Sequence, residues 1–205
     1  MFISRKAGTD DVREAIFQAA VGLFARRGYF ATTIRDIVEK AGVTQPMVYY
    51  YFGNKEQLFL TCVRELYRAL MEMYEGINPD QPFAQFLNEF ITANVKAYRE
   101  YPEAILLVTH FLHSPEEYPF TPEIAVLLME PIKYAYRALD AAKTRGEIAP
   151  ELDYHAFGMA LFGALEMAVS VFHIGENHGI PIFITPEELG RQLERILIYG
   201  VLQHR

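Results

Sequence analysis

The stretch TTIRDIVEKAGVTQPMVYYYFGNKEQL, residues 32–58, decides the fold of this chain of 205 residues. Apolar side chains recur at helical spacing in its first part, and Thr33 with Asp36 three residues later predicts an N-cap with an acidic capping box. Gly42 supplies the left-handed residue that commonly ends a helix, and Thr44 is placed to cap the next one. The stretch therefore predicts two helices joined by a tight glycine turn.

The second of these helices, residues 45–52, is short and rich in tyrosine. Helical spacing turns Val48 and Phe52 inward, and Gly53 ends the helix. The side chains left mostly outward are Gln45, Met47, Tyr50 and Tyr51. Two helices joined by a short glycine turn form a helix-turn-helix, whose second helix enters the major groove of DNA. The stretch therefore predicts a DNA-reading unit.

The side chains of this unit carry the chemistry that reading DNA requires. Gln45 has an amide that pairs bidentately with adenine, and Arg35, at the exposed start of the first helix, has a guanidinium that suits guanine. Pro46 and Met47 offer apolar contact to a thymine methyl group. The tyrosines at 49–51 offer hydroxyls to phosphates and flat rings to sugars. The other interpretation, that these rings only pack against the core, stays open at this point.

These residues resemble the DNA-binding domain of the TetR family of transcriptional regulators. The family pattern has threonines opening helix two, Ala-Gly-Val-Thr at the turn, and Tyr-x-Tyr-Phe-x-x-Lys. It is met by Thr32–Thr33, Ala41–Thr44 and Tyr49–Lys55, within a similarity that covers roughly residues 10–60. In the family, the positions matching Thr33, Thr44, Tyr51 and Lys55 usually hold phosphate, and those matching Arg35, Gln45, Met47, Tyr49 and Tyr50 usually read or flank bases.

The resemblance also implies an assembly and a means of control. It predicts a homodimer, joined through its last two helices, that binds a palindromic operator in double-stranded DNA. It further implies a pocket for a small-molecule effector in the helices behind the DNA-binding domain. The regulator is expected to be a repressor, as is most often the case in this family.

The charge distribution is compatible with a DNA-binding head on a larger body. The net charge of −7 alone argues against nucleic acid as a partner. Residues 1–58, however, carry 8 Lys and Arg against 6 Asp and Glu, while the remainder of the chain carries 11 against 20. A mildly basic head attracts phosphate locally while the acidic body repels it. The small excess predicts that affinity depends on geometry and dimerisation.

Composition indicates a packed protein of a reducing compartment. Apolar residues make up 51% of the chain, and the single cysteine, Cys62, excludes an internal disulfide. The start of the sequence lacks the apolar segment of a secretory signal, so we predict a cytoplasmic protein. The apolar run at 156–174 is as long as a membrane span, but Glu166 at its middle argues against insertion.

The rest of the chain shows helical periodicity, with no alternating strand pattern and no repeat. The sequence predicts an all-α fold of about nine helices. A three-helix helix-turn-helix domain at 8–54 is followed by an effector-binding and dimerisation domain at 55–205. Pro131 is expected to kink or break one of the later helices.

The second domain carries a set of aromatic and polar residues typical of an apolar small-molecule pocket. A plain helical core fits the same residues. The candidate ligand-binding residues are Tyr67, Met71, Tyr74, Phe90, Asn94, His110, Phe111, Phe162, Glu166 and His173.

A polar stripe follows one otherwise apolar helix of this domain. It consists of Glu166, Ser170, His173 and Asn177, at intervals of four, three and four residues. Such a stripe lines a ligand cavity, a polar seam in a dimer or a solvent-facing edge, and the sequence leaves the three open. Small residues on the same helix permit close helix approach and, with the last helix, resemble the family's dimer interface. They are Gly158, Gly163 and Ala164.

Catalytic and metal-binding patterns are not found. His110 and His113, three residues apart, suit a shared metal ion, but no third ligand has convincing spacing, so we predict no metal and no cofactor. No nucleophile elbow, phosphate loop or paired-cysteine cluster indicates an enzyme. The hypothesis is a ligand-responsive DNA-binding transcriptional regulator. Its rivals are a small-molecule carrier or enzyme with an aromatic-lined helical pocket, and a purely structural dimer.

Overall fold

A computed structural model of the chain describes residues 9–114, 118, 122–149 and 151–201. These residues form nine α-helices and contain no β-strand, which confirms the predicted all-α class. The helices are α1 Thr9–Ala31, α2 Ile34–Ala41, α3 Gln45–Phe52, α4 Lys55–Glu72, α5 Phe83–Glu100, α6 Pro102–His113, α7 Pro122–Thr144, α8 Tyr154–His178 and α9 Pro186–Val201.

The chain divides into two compact units. The first takes its described residues from the ranges 1–69 and 103–125, and the second takes them from 70–102 and 126–205. The first unit therefore holds α1–α3, most of α4, α6 and the start of α7. The predicted domain boundary after residue 54 stays a prediction, since this division groups α6 with the N-terminal helices.

The core of the first unit forms beneath the two helices that the sequence predicted. The inner face of α1 is fully buried at Ile16 and Phe24, and it is joined by Ile37 of α2 and Val48 of α3. Each such apolar side chain contributes roughly 1.5–3 kcal/mol on burial. The regular part of α1 ends at Gly28, whose φ of 76° and ψ of 171° break the helical geometry.

The second unit is built around a phenylalanine-rich α5. Phe83, Phe86 and Phe90 are fully buried on this helix and pack against apolar residues of α7 and α8. Helix α9 crosses α5 closely at Gly190, where an added Cβ would lie 3.1 Å from Val95. A larger side chain at this position would therefore push the two helices apart.

Helix α7 runs through its internal proline. Pro131 lies inside the continuous helix Pro122–Thr144, so the helix is not broken there, and the kink offered as the other outcome stays a prediction. A proline removes one backbone donor and crowds the preceding turn. The residues after it, Ala135, Ala138 and Leu139, are buried in the core, and this packing keeps the following turns helical.

Candidate nucleic-acid interface

The start of α2 is fixed by a complete capping box. The backbone N–H of Asp36 donates to Oγ1 of Thr33 at 3.1 Å, and the backbone N–H of Thr33 donates to Oδ2 of Asp36 at 2.8 Å. Hydrogen bonds from the Thr33 side chain and backbone lower the pKa of Asp36. The carboxylate pairs with Arg27 at 3.7 Å. Asp36 thus caps the helix, and Arg35 projects from the first turn with its side chain exposed.

The turn between α2 and α3 has the geometry that its glycine predicts. Gly42 adopts φ 66° and ψ 33°, and the N–H of Val43 donates to the carbonyl of Val38 at 3.2 Å. Thr44 occupies the N-cap position of α3, but its side chain makes no capping hydrogen bond. The predicted N-cap position of Thr44 is therefore confirmed, but its hydroxyl is not used, because Pro46 has no N–H and the N–H of Met47 donates to the Thr44 backbone carbonyl at 3.1 Å. The exposed Thr44 side chain is left for another partner.

Helix α3 is anchored by two residues and presents the others to solvent. Val48 is fully buried and Phe52 is 5% exposed, as the spacing predicted. Tyr50 is 82% exposed and Tyr49 45% exposed, so packing does not account for these two rings. Gln45 donates from Nε2 to the Tyr49 hydroxyl at 3.2 Å. The outward face thus presents amide, phenol and thioether groups, with Met47 41% exposed.

The start of α4 adds a cation beside α3. Asn54 caps the helix by accepting from the backbone N–H of Gln57 at 2.8 Å. Lys55 lies half-buried with Nζ 4.1 Å from the centroid of the Tyr29 ring. The N-terminal end of a helix attracts anions through its free N–H groups and its dipole. A phosphate at the start of α4 would therefore be attracted both by the charge of Lys55 and by the N-terminal end of the helix.

A groove adjoins this end of α3, and sequence reasoning did not find it. It is open to solvent, has a volume of about 520 Å³ and runs along the outer face of α4. Its lining comes from the end of α3, Gly53 and the first half of α4, which follow one another in the sequence. The lining residues are Tyr51, Phe52, Gly53, Gln57, Leu60, Thr61 and Arg64.

Five of the predicted ligand-binding residues meet in the core of the second unit. The Tyr74 ring stacks on Phe90 with centroids 4.9 Å apart, and Phe90 meets Phe162 edge-on at 6.0 Å. The Tyr74 hydroxyl donates to Oδ1 of Asn94 at 3.1 Å, and burial raises the pKa of Tyr74 well above its ordinary value. Met71 packs against the same cluster. The cluster is apolar with one polar pair inside it.

The other candidates are distributed differently. Tyr67 and Phe111 are buried in the first unit, so their assignment as ligand contacts stays a prediction. The side chain of His110 lies outside the described part of the structure. Among the residues that the structure does describe, no group of three His, Cys, Asp or Glu could hold a metal ion.

The polar stripe of α8 lies beside an exposed apolar face. Glu166, Ser170 and His173 are half-buried, while the side chain of Asn177 is outside the described set. Next to the stripe, exposed apolar side chains continue along α8 and reappear on α9. They are Met159, Met167, Val171, Ile174 and Ile196. The segment Tyr154–Glu176 is apolar and long enough for a membrane span by length and composition, and only 22% of it is buried. The exposed apolar face accounts for this low burial.

Known proteins match the chain at both the sequence and the structure level. A family model described as "Bacterial regulatory proteins, tetR family" matches residues 16–62. The uncharacterized HTH-type transcriptional regulator YdgC of Bacillus subtilis is 26% identical over 93% of this chain and 92% of its own length. The HTH-type transcriptional repressor NicS of Pseudomonas putida is 27% identical over 92% of this chain and 90% of its own length.

The fold is shared with a solved regulator from Bacillus subtilis. The structure of the transcriptional regulator FadR in complex with stearoyl-CoA superposes with a TM-score of 0.68 at 20% identity, over 91% of this chain and 98% of that one. At this level of identity the similarity establishes the arrangement of helices.

Proposed function

Because the chain belongs to the TetR family of transcriptional regulators, we propose that it is a homodimeric repressor that a small, largely apolar effector releases from a palindromic operator. The observation that carries the proposal is the exposed face of α3, a helix that the buried Val48 and Phe52 anchor beside the capped helix α2. A recognition helix needs such a rigid base, because base contacts require fixed side-chain geometry.

The DNA contacts of this proposal fall into two classes. Gln45, Met47, Tyr49, Tyr50 and Arg35 are assigned to bases, since their exposed groups can donate, accept or contact a methyl group. The residues assigned to phosphates carry hydroxyl or ammonium groups at the helix ends. They are Thr33, Thr44, Tyr51 and Lys55. Phosphate contacts fix the register on the duplex, whereas base contacts specify the sequence.

The proposed dimer is supported by the exposed face of α8 and α9. Met159 is 72% exposed, Met167 64% and Ile196 65%. Contiguous apolar surface of this kind is uncommon on a soluble monomer and marks an interaction site. A second copy of the chain covers it in an isologous contact, which also supplies the two recognition helices that a palindrome requires.

The proposed effector is matched to the aromatic cluster of the second unit. Tyr74, Phe90 and Phe162 offer flat apolar surface, and Asn94 offers an amide. The resemblance in fold to a regulator with bound stearoyl-CoA supports an apolar effector, and the repressor NicS supports the sign of regulation.

Release from DNA is a matter of thermodynamic coupling. Helix α4 carries Lys55 in the first unit and ends with residues 70–72 in the second. Two recognition helices must lie about 34–36 Å apart to enter successive major grooves. An effector that binds a form with another spacing more tightly than the DNA-binding form lowers the affinity for the operator. The operator lowers the affinity for the effector by the same factor, because coupling between two sites is reciprocal.

A gel-shift experiment tests the proposal on DNA from upstream of the chain's own gene. We expect a specific shift at moderate salt that competitor DNA of random sequence does not abolish. Apolar acids and thioesters then serve as probes for release. If the dimer bound the upstream DNA no better than DNA of random sequence, the result would contradict the proposal and would favour the carrier or enzyme hypothesis.

A further inference from the structure

A lysine rests on an aromatic ring at the junction of α1 and α4. Nζ of Lys55 lies 4.1 Å from the centroid of the Tyr29 ring. A cation at this distance over an aromatic face is attracted by the ring quadrupole. Burial lowers the pKa of Lys55, so the ammonium has given up part of its hydration to lie there.

The ring beneath the lysine is itself held in place. Tyr29 stacks on Phe24 with centroids 5.8 Å apart and meets Phe59 at 5.2 Å. The backbone around it is fixed as well, since the N–H of Thr32 donates to the carbonyl of Tyr29 at 3.2 Å. The Thr32 hydroxyl donates to the carbonyl of Gly28 at 2.8 Å. Tyr29 is therefore a rigid support.

We propose that Tyr29 is a positioning residue for phosphate binding, whose ring holds the Lys55 ammonium at the start of α4 where a DNA phosphate meets it. The inference rests on the DNA-binding function proposed above. A free lysine loses rotamer freedom when it binds a phosphate, which weakens the contact. A lysine held on a rigid ring has lost that freedom beforehand. Its ammonium has three donors, and the ring occupies one side only.

A double-mutant cycle measures this role directly. The four proteins are the parent chain, Tyr29→Leu, Lys55→Met and the double variant, and the probe is a fluorescent DNA duplex of random sequence in a salt series. We expect Lys55→Met to reduce the salt dependence of log K by about 0.9 per protomer, the value for one lost phosphate contact. Tyr29→Leu should weaken binding by about three- to tenfold in the parent chain and have no further effect in Lys55→Met.

Further variants separate positioning from general stability. Tyr29→Phe keeps the ring and should bind as the parent does. The matched control is a similar pair in the second unit, where Nζ of Lys143 lies 4.9 Å from the centroid of the Tyr154 ring. Lys143→Met and Tyr154→Leu should leave DNA binding unchanged. In the DNA-free protein, the ε-methylene protons of Lys55 should show an upfield ring-current shift in NMR spectra. Tyr29→Phe should preserve the shift. If Tyr29→Leu does not fold, this shift is the measurement that tests the contact between Lys55 and the ring.

The possible failures are distinguishable. Equal losses from Tyr29→Leu in the presence and absence of Lys55 would overturn the positioning role while leaving DNA binding by Lys55 intact. An unshifted Lys55 ε-methylene would overturn it too. If Lys55→Met changed neither the affinity for DNA nor its salt dependence, Lys55 would not contact a phosphate. That result would overturn both this part of the proposed function and the inference.

Discussion

Single residues of α3 and α4 divide the work of reading the base sequence and of attaching to the DNA backbone. Gln45 is exposed at the first turn of α3 and is bonded to Tyr49, one turn further on. This bond leaves the second N–H and the carbonyl oxygen of its amide available to a base edge. Lys55, by contrast, carries a charge that any phosphate satisfies. The two residues therefore have different signatures in a binding experiment.

Substitution at these positions should show the difference. Gln45→Ala should relax discrimination at one or two base pairs by about 1–3 kcal/mol, since a bidentate base contact is lost. Lys55→Ala and Tyr51→Phe should weaken binding to all sequences alike. Binding to a library of operator variants checks both. A uniform loss of affinity from Gln45→Ala would show that the residue does not read bases.

The capping carboxylate gives a prediction about pH. The pKa of Asp36 is lowered by its hydrogen bonds with Thr33. Because the folded value lies below the ordinary one, the stability from this cap is fully present above the ordinary value of 3.8 and is lost as pH falls through the folded value. In Thr33→Val, the Asp36 carboxyl should titrate at a higher pH than in the parent chain, as followed by NMR. Identical titration curves would contradict the assignment.

At the scale of elements, α1, α3 and α4 are joined by one arginine. Nη2 of Arg13 lies 2.5 Å from Oε1 of Glu65, and its guanidinium carbon lies 5.2 Å from the centroid of the Phe52 ring. The Glu65 side chain is 19% exposed, and its other oxygen makes no hydrogen bond among the described residues. Arg13 thus covers both the anchor of the recognition helix and a half-buried charge.

Removing one partner of this pair should cost more than removing both. Arg13→Met leaves Glu65 half-buried and unpaired, and should lower the free energy of unfolding by about 1–3 kcal/mol. The double variant Arg13→Met, Glu65→Leu should recover most of that loss, since two apolar groups replace the pair. Urea unfolding measures both. The exposed pair of Lys133 and Glu130 is the control, because Lys133→Met should change stability little.

The outcome that would contradict this account is a double variant as unstable as the single one. In that case the contact of the Arg13 guanidinium with the Phe52 ring, rather than the charge pair, would hold α3 in place.

The elements themselves were predictable wherever a local signal defines them. The capping box at Thr33, the left-handed Gly42, and the cap at Asp153, which accepts from the N–H of Ala156 at 2.8 Å, all lie within a few residues of the helix ends that they set. Periodicity likewise predicted the burial of Val48 and Phe52. Short-range patterns therefore account for most helix boundaries.

Contacts between distant segments could not be predicted in this way. Tyr118 is buried and stacks on Phe59 with centroids 5.6 Å apart, although the two residues lie far apart in the sequence. The contact of Lys55 with Tyr29 joins residues of two helices. The sequence predicted that Lys55 binds phosphate, but it did not predict the ring on which the lysine lies. The placement of α6 with the N-terminal helices also depends on tertiary packing, which no pattern within α6 specifies.

At the scale of the whole molecule, function depends on pairing. The small surplus of positive charge in residues 1–58 limits the affinity of a single head for DNA. The apolar face of α8 and α9 offers the means to pair two heads. Dimerisation and DNA binding should therefore fail together.

A charge placed on that face tests the connection. Met167→Glu should raise the dissociation constant of the dimer by about tenfold or more, since burying an unpaired carboxylate is costly, and should weaken operator binding in parallel. Sedimentation and anisotropy follow the two properties. Val126, 55% exposed on α7, is the matched control, because Val126→Glu lies on another helix and should change neither. A Met167→Glu protein that remains a dimer would place the interface elsewhere.

Hydroxyl-radical footprinting of the intact dimer, on the DNA upstream of its own gene, tests the central claim most directly. We expect two protected half-sites in inverted repeat, with centres one helical turn apart, about 34–36 Å, or a multiple of it, and loss of protection in Lys55→Ala at moderate salt. Uniform cleavage of that DNA by a protein shown to be folded and dimeric would contradict the account.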